Sequence, residues 1–353
     1  MPGFLPAEGK PGPYAHTMKN TLLRGVFFAA VLIFAIWCAG AEASRIPGIP
    51  DGCNTRCHKS KIREQFVHGP VGSDDCIACH LPAGGEHPKE RTAFRLAGER
   101  EKLCYLCHEG KASKRVVHPP VAQGDCLACH DPHQSPYAMQ LKALAGELCF
   151  RCHDRQAFAH KRGHPPVAAG NCLGCHDPHH SENGSLLKGS GAGLCFICHD
   201  KNMTVGASIH KPVAEGKCTD CHAPHGSAWP KLLKNAFPEP FYLPYAQGNF
   251  ALCFNCHEKN IAQDRRTDTL TGFRNGDVNL HFLHINKPDK GRSCKTCHDP
   301  HAAQQQRLIK ERIPGFGTWD IPIRYTKTDT GGTCVAGCHK PKSYDRLQPA
   351  RNR

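Results

Sequence analysis

Two cysteines followed by a histidine recur eleven times along this chain of 353 residues. Nine copies read Cys-x-x-Cys-His: Cys76, Cys79, His80; Cys104, Cys107, His108; Cys126, Cys129, His130; Cys149, Cys152, His153; Cys172, Cys175, His176; Cys195, Cys198, His199; Cys218, Cys221, His222; Cys253, Cys256, His257; and Cys294, Cys297, His298. Two copies at the ends of the array carry one extra residue: Cys53, Cys57, His58 and Cys334, Cys338, His339. The spacing has a chemical reason. Two thiols must reach two vinyl groups on one edge of a porphyrin, and the adjacent imidazole must turn under the ring to bind iron. Cys-x-x-Cys-His is the signature of c-type haem attachment. The sequence therefore predicts 11 covalently bound haem c groups with their iron, each cysteine a thioether and each trailing histidine a proximal ligand.

Other uses of paired cysteines fit less well. A structural zinc site pairs two Cys-x-x-Cys knuckles or adds distant histidines. A thioredoxin-like motif occurs once, beside a βαβ pattern. A disulfide framework needs no histidine after the second cysteine. None of these explains a trailing histidine in every copy.

The motifs use 22 of the 23 cysteines, and Cys38 is the remainder. It lies in a segment with the marks of a signal peptide: a basic start at Met18–Arg24, an apolar run over residues 25–37, and Ala41-Glu-Ala43 before a mature start near Ser44. The apolar run is short for a membrane span. An uncleaved anchor and a lipidated Cys38 stay open as alternatives, and Met18 is a candidate true start. Residues 1–43 are thus expected to be removed, and the chain exported to the periplasm, with outer-membrane or extracellular placement open. No later segment reads as a membrane span.

Only 39% of residues are apolar, and there are 34 Gly and 28 Pro. That is little for a conventional core. Porphyrin plates tied to the chain are expected to replace the usual aliphatic layers, so the haem-free chain is expected to be unfolded. The net charge is +14, without a Lys/Arg block or a nucleic-acid-binding motif. Each haem brings two propionates, so the basic side chains read as propionate partners, and nucleic acid is not an expected partner.

The motifs are doubled. First cysteines at 104, 149 and 195, and at 126, 172 and 218, recur with a period of 45 or 46 residues, as in arrays of one stacked supersecondary unit. The middle units open with Leu-Cys-x-x-Cys-His, pass through His-x-Pro-Val, and close with a second Cys-x-x-Cys-His that runs into x-Pro-His. The units are drawn at about 50–100, 101–145, 146–190, 191–235 and 236–303, with a terminal haem over 304–340 and a tail over 341–353. This pattern over residues 50–340 resembles the multihaem c-type cytochromes of the doubled Cys-x-x-Cys-His family. Leu280–Ala303 and Trp319–Arg324 resemble C-terminal regions of cytochromes from metal-reducing bacteria. The resemblance implies paired haems stacked along the chain.

The expected fold is mostly irregular with a few short helices: a haem-cored repeat array with long loops and little or no β. The helices are placed on the Leu-Cys-x-x-Cys-His segments, since the Gly- and Pro-rich linkers forbid long ones.

Each iron needs a sixth ligand. Besides His16 and the proximal set, 13 of the 25 histidines remain. His68, His118, His164 and His210 each precede a motif by eight residues, and His284 precedes Cys294 by ten. His133, His179, His225 and His301 each follow a proximal histidine by three, and His87 follows His80 on a longer loop. His160, His180 and His281 compete for the eleventh place, and His281 is taken. Two histidines are then left over. Each His-x-Pro-Val histidine is expected to reach the first haem of its own unit, its approach held extended by the following proline. Met139 and Met203 sit in no repeating context, so bis-His, low-potential haems are expected.

Two function classes follow. The first is an electron carrier without a catalytic residue, with other multihaem cytochromes, an outer-membrane porin or an inner-membrane quinol oxidase as partners. The second is a nitrite- or hydroxylamine-type multihaem enzyme, which needs one haem with an open iron. The aromatic-rich segments 229–251 and 302–333, which break the repeat, read as packing over haem edges or as a docking surface.

Overall fold

The computed structural model describes residues 52–315 and 318–352. The expected signal peptide and Phe316 lie outside the described residues. The chain divides into Met1–Cys53 and Asn54–Arg353, and everything below concerns the second unit.

Helices are single turns placed by local chemistry. Leu-Cys-x-x-Cys-His segments carry Arg100–Cys104, Ala145–Cys149, Gly191–Cys195 and Ala251–Phe254, as the sequence predicts. A second set begins just after the His-x-Pro-Val histidines: Gly69–Gly72, Pro119–Ala122, Pro165–Ala168 and Lys211–Ala214. Proline in the first turn suits a helix start, because its missing N–H would have no intrahelical partner there. The histidine before it is extended, at φ −64° and ψ 132° for His118. After each helix the chain turns sharply into the next motif. Gly170 makes one such turn at φ 71°. A side chain on the facing Gly146 would sit 3.0 Å from the Gly170 backbone, so both glycines permit this close approach.

Strands within the array are two residues long and make one recurring contact. Phe66–Val67 pairs with Gln134–Ser135, Val116–Val117 with His180–Ser181, Arg162–Gly163 with Gly226–Ser227, and Ser208–Ile209 with Ala302–Ala303, all antiparallel. Each pairing joins the His-x-Pro-Val segment of one unit to the segment after the x-Pro-His of the following unit.

The expectation of little or no β describes the array and not the C-terminal region. There Arg312–Pro314, Asp320–Lys327, Gly331–Ala336 and Lys342–Asp345 form a four-stranded antiparallel sheet in sequence order. Alternate residues face inward. Ile313, Ile321 and Ile323 are buried, and Phe241 and Ile309 pack against them. A second core joins Leu243, Phe250, Ala262 and Ile285, with Tyr245 and Phe254 beside it. The two segments that break the repeat therefore supply most of the aliphatic and aromatic cores, which favours packing over docking for most of their apolar residues. Trp229 and Trp319 stay exposed.

Truncating Ile323 to alanine is expected to destabilise the C-terminal sheet by about 2–4 kcal/mol. The same change at exposed Arg324 is expected to stay within about 0.5 kcal/mol. Denaturant titration of the holoprotein, with amide exchange on residues 312–345, checks this.

Candidate haem-binding site

The short strand pairs hold histidines in facing positions. His68 donates its backbone N–H to His133 O at 2.9 Å, His118 to His179 at 2.9 Å, His164 to His225 at 3.2 Å and His210 to His301 at 3.0 Å. The first histidine of each pair also places Nδ1 3.0 Å from the carbonyl of the proline before its partner: Pro132, Pro178, Pro224 and Pro300. That contact fixes the ring so that Nε2 points away from the clamp. A ligand histidine is commonly held this way, through its other ring nitrogen.

From each clamp one ring points forward along the chain and the other back. The forward rings face proximal histidines of the next unit: His68 with His108 at 5.9 Å between ring centroids, His118 with His153 at 6.2 Å, His164 with His199 at 6.0 Å, and His210 with His257 at 6.2 Å. The backward rings face proximal histidines of the unit before: His133 with His80 at 6.3 Å, His179 with His130 at 6.1 Å, His225 with His176 at 6.1 Å, and His301 with His222 at 6.2 Å. This corrects the expectation that a His-x-Pro-Val histidine reaches the first haem of its own unit. The strand pairing carries His118 past His108 to His153.

At the array ends other local structures do the same. His87 faces His58 at 6.0 Å. Near the C-terminus one helix, Leu280–Ile285, carries both rings. His281 faces His298 at 6.4 Å, and His284 lies within electrostatic reach of His339. Asn279 caps this helix, accepting the N–H of His281 at 3.0 Å and that of Phe282 at 3.4 Å. Ten proximal histidines thus have a facing ring, and for His339 the nearby histidine is His284, whose ring stacks on Phe273. His160 and His180 face none. The N–H of Ser113 donates to His180 Nδ1 at 3.1 Å.

These separations fit an iron between the rings. An imidazole nitrogen bonds a transition metal at about 2 Å, so two rings on opposite sides of one ion have centroids about 6 Å apart. Rings in direct contact would be closer. Burial holds the imidazoles of His133, His179, His225 and His301 below the ordinary histidine range. His281 is held down to about 3, by burial first and then by His298 and His284. Such rings are neutral at physiological pH, which is the ligating form. The sulfur atoms of Met139 and Met203 belong to exposed side chains, and no clamp uses them.

Three further positions were not read from the sequence. The loop after each second motif folds back on it. His130 Nδ1 lies 2.8 Å from Met139 O, His176 Nδ1 2.8 Å from Ser185 O, His222 Nδ1 2.9 Å from Lys231 O, and His298 Nδ1 2.9 Å from Arg307 O. These four carbonyl acceptors belong to non-glycine residues at φ 58°, 53°, 55° and 59°, a conformation costing about 1–2 kcal/mol each. Repetition of the strain at the residue that orients the proximal ring ties it to function. The signal was the constant nine-residue step from the histidine, hidden because the residue types differ.

A lysine twelve residues after the histidine closes the loop. The N–H groups of Lys142, Lys188, Lys234 and Lys310 donate to the carbonyls of Cys129, Cys175, Cys221 and Cys297 at 2.8–2.9 Å. The third position is the aspartate after the proximal histidine. Asp131 accepts the N–H of His133 and Asp177 that of His179, each at 2.9 Å. Burial raises the Asp131 carboxyl, and the N–H groups of His133 and Gln134 more than offset this, leaving it below its ordinary range.

Consecutive motifs lie side by side. The thiols of Cys104 and Cys126, Cys149 and Cys172, Cys195 and Cys218, and Cys253 and Cys294 lie close enough to perturb each other. The alternate junctions are also close: Cys79 senses Cys107, Cys129 senses Cys152, Cys195 senses Cys175, Cys221 senses Cys253 and Cys256, and Cys297 senses Cys334 and Cys338. The attachment points form an unbroken succession from Cys79 to Cys338.

The family described as the doubled CXXCH motif matches residues 68–113, 118–158, 164–204, 210–262 and 286–316. These cover more than half of the chain, which belongs to this family. It is a multihaem c-type cytochrome, carrying covalently attached haem c. The matched stretches contain all nine Cys-x-x-Cys-His copies and neither Cys-x-x-x-Cys-His copy. Four of them begin at His68, His118, His164 and His210, so in this phasing each forward histidine and the proximal histidine it faces belong to one repeat. No curated protein matches the chain.

Replacing Ser185 with glycine is expected to leave stability unchanged or raise it by up to about 1 kcal/mol, since glycine accepts positive φ freely. Proline there fixes φ near −65°, turns the carbonyl away from His176, and is expected to cost about 2 kcal/mol or more. Denaturation of the two holoproteins separates these outcomes.

Proposed function

We propose that this cytochrome conducts electrons along a row of 11 bis-His, low-potential haems, and that it works in periplasmic or outer-membrane electron transfer to acceptors outside the cell. The observation that carries the reading is the unbroken succession of attachment points, each followed by a proximal histidine, ten of which have a facing partner. Bound haem supplies the Fe(III)/Fe(II) couple. The chain's own part is spacing, ligation and electrostatics. Its four strand clamps hold the facing ring at eight sites, and its doubled motifs keep neighbouring attachment sulfurs close together.

A catalytic haem would need a proximal histidine with nothing opposite it; ten of the eleven here face a second ring and His339 lies within electrostatic reach of His284, which supports the carrier reading. Histidine in place of methionine on the sixth position lowers the potential. The expected partners are redox proteins: other multihaem cytochromes, an outer-membrane porin around the haem row, or a quinol oxidase of the inner membrane. Among the described residues no helix is long and apolar enough to cross a membrane. A spanning role would therefore place the chain inside a partner's barrel.

Low-temperature EPR and magnetic circular dichroism of the oxidised holoprotein, with haem counted as the pyridine haemochrome, test this reading. Eleven low-spin haems and no high-spin signal are expected. One high-spin haem per molecule would contradict the conductor and turn attention to small-molecule substrates.

A further inference from the structure

The C-terminal haem sites differ from the array in cover and in charge. Neighbouring motifs from Cys104 to Cys218 start 22 or 23 residues apart, whereas Cys253, Cys294 and Cys334 are separated by 41 and 40. The added chain contributes Ala262 and Ile285 to one of the apolar cores described above and Ile309, Ile313, Ile321 and Ile323 to the other, and Cys294 and Cys334 pack directly against them.

The charge contrast concerns the second cysteine of each late motif. In the array Cys79 senses Asp75, Cys221 senses Asp220 together with Lys234, and Cys129 senses Asp125 together with Arg151 and Lys142, so each has a carboxylate nearby. The charged side chains sensed by Cys297 are instead Arg292 and Lys310. Those sensed by His284 are His339, Lys287 and Arg292.

Arg292 stands out among these. Its guanidinium lies over Phe241 at 4.6 Å and over Tyr242 at 4.0 Å. Its Nη1 is buried and has no hydrogen-bond partner among the described residues. The strand Gly291–Arg292, paired with Tyr242–Leu243, fixes this position. Arginine cannot shed its proton, so the fold keeps a full positive charge beside two aromatic rings and within electrostatic reach of Cys297 and His284.

We propose that the sites of His281 with His298 and of His284 with His339 hold the highest-potential haems of the row, and that Arg292 is a positioning residue that raises them. The proposal rests on the bis-His reading above. The physics has one sign throughout. The iron–porphyrin unit loses a positive charge on reduction, so burial favours the reduced form. A cation held nearby in low dielectric does the same. A guanidinium that neutralises a propionate acts in the same direction as an unpaired one. An electron given to the row by a reduced donor protein therefore settles at its C-terminal end. The exposed side of the last site, at Cys338 and His339, is where an oxidised acceptor protein would take it.

Potentiometric titration of the haem absorbance of the full holoprotein tests the proposal, comparing wild type with R292Q, R292K and the exposed control K201Q. The upper end of the curve is expected to move to lower potential in R292Q, to stay close to wild type in R292K, and not to move in K201Q. If R292Q yields no holoprotein, K310Q replaces it, with the same shift expected. An upper end that does not move in a fully haem-loaded variant overturns the proposal, as does a shift confined to the lower part of the curve. EPR on the same samples keeps the two ideas apart. A full set of low-spin signals with no shift defeats this inference alone, and a high-spin signal in the wild type defeats the bis-His reading beneath it.

Discussion

A contact of two residues on each side organises the repeat array. Where Val67 lies against Gln134, or Val117 against His180, the chain from one unit is tied to the chain of the next. Each tie carries two histidines that point opposite ways. One ring reaches forward to the first motif of the following unit and the other reaches back to the second motif of the preceding one. A unit therefore cannot complete its own sites. This is the interface-dominated stability expected of repeat architectures, with imidazoles and porphyrins in place of an aliphatic interface.

The C-terminal region reaches the same end by another route. There a capped helix carries His281 and His284 three residues apart on one face, and a packed sheet with two small cores supports it. More chain is committed to fewer sites, and the two apolar cores cover Cys294 and Cys334 there. The exposed array and the covered terminus are thus two ways of holding the same pair of ligands. The difference between them gives a row of chemically similar sites a direction.

Much of this was legible in the sequence, because haem attachment and ligation demand fixed residue types. Ten of the histidines named from spacing do face a motif histidine, including His281 and neither His160 nor His180. The connectivity could not be read. It depends on a register between segments some 60 to 90 residues apart, such as His68 with His133 and His210 with His301, and short strands carry no sequence signal strong enough to pair them. The C-terminal sheet had a faint signal in the alternation of Ile321, Ile323 and Tyr325, interrupted by Pro322. The strained carbonyl acceptors were hidden because methionine, serine, lysine and arginine share that position, and only their backbone conformation is common.

The exchange of histidines between units is the central claim, and a high-resolution structure of the fully loaded holoprotein tests it most directly. Iron is expected on the line between His118 and His153, and again between His130 and His179, so that both rings of one clamp serve different units. Iron bound by His118 together with His108 would contradict the account, because each unit would then close on itself.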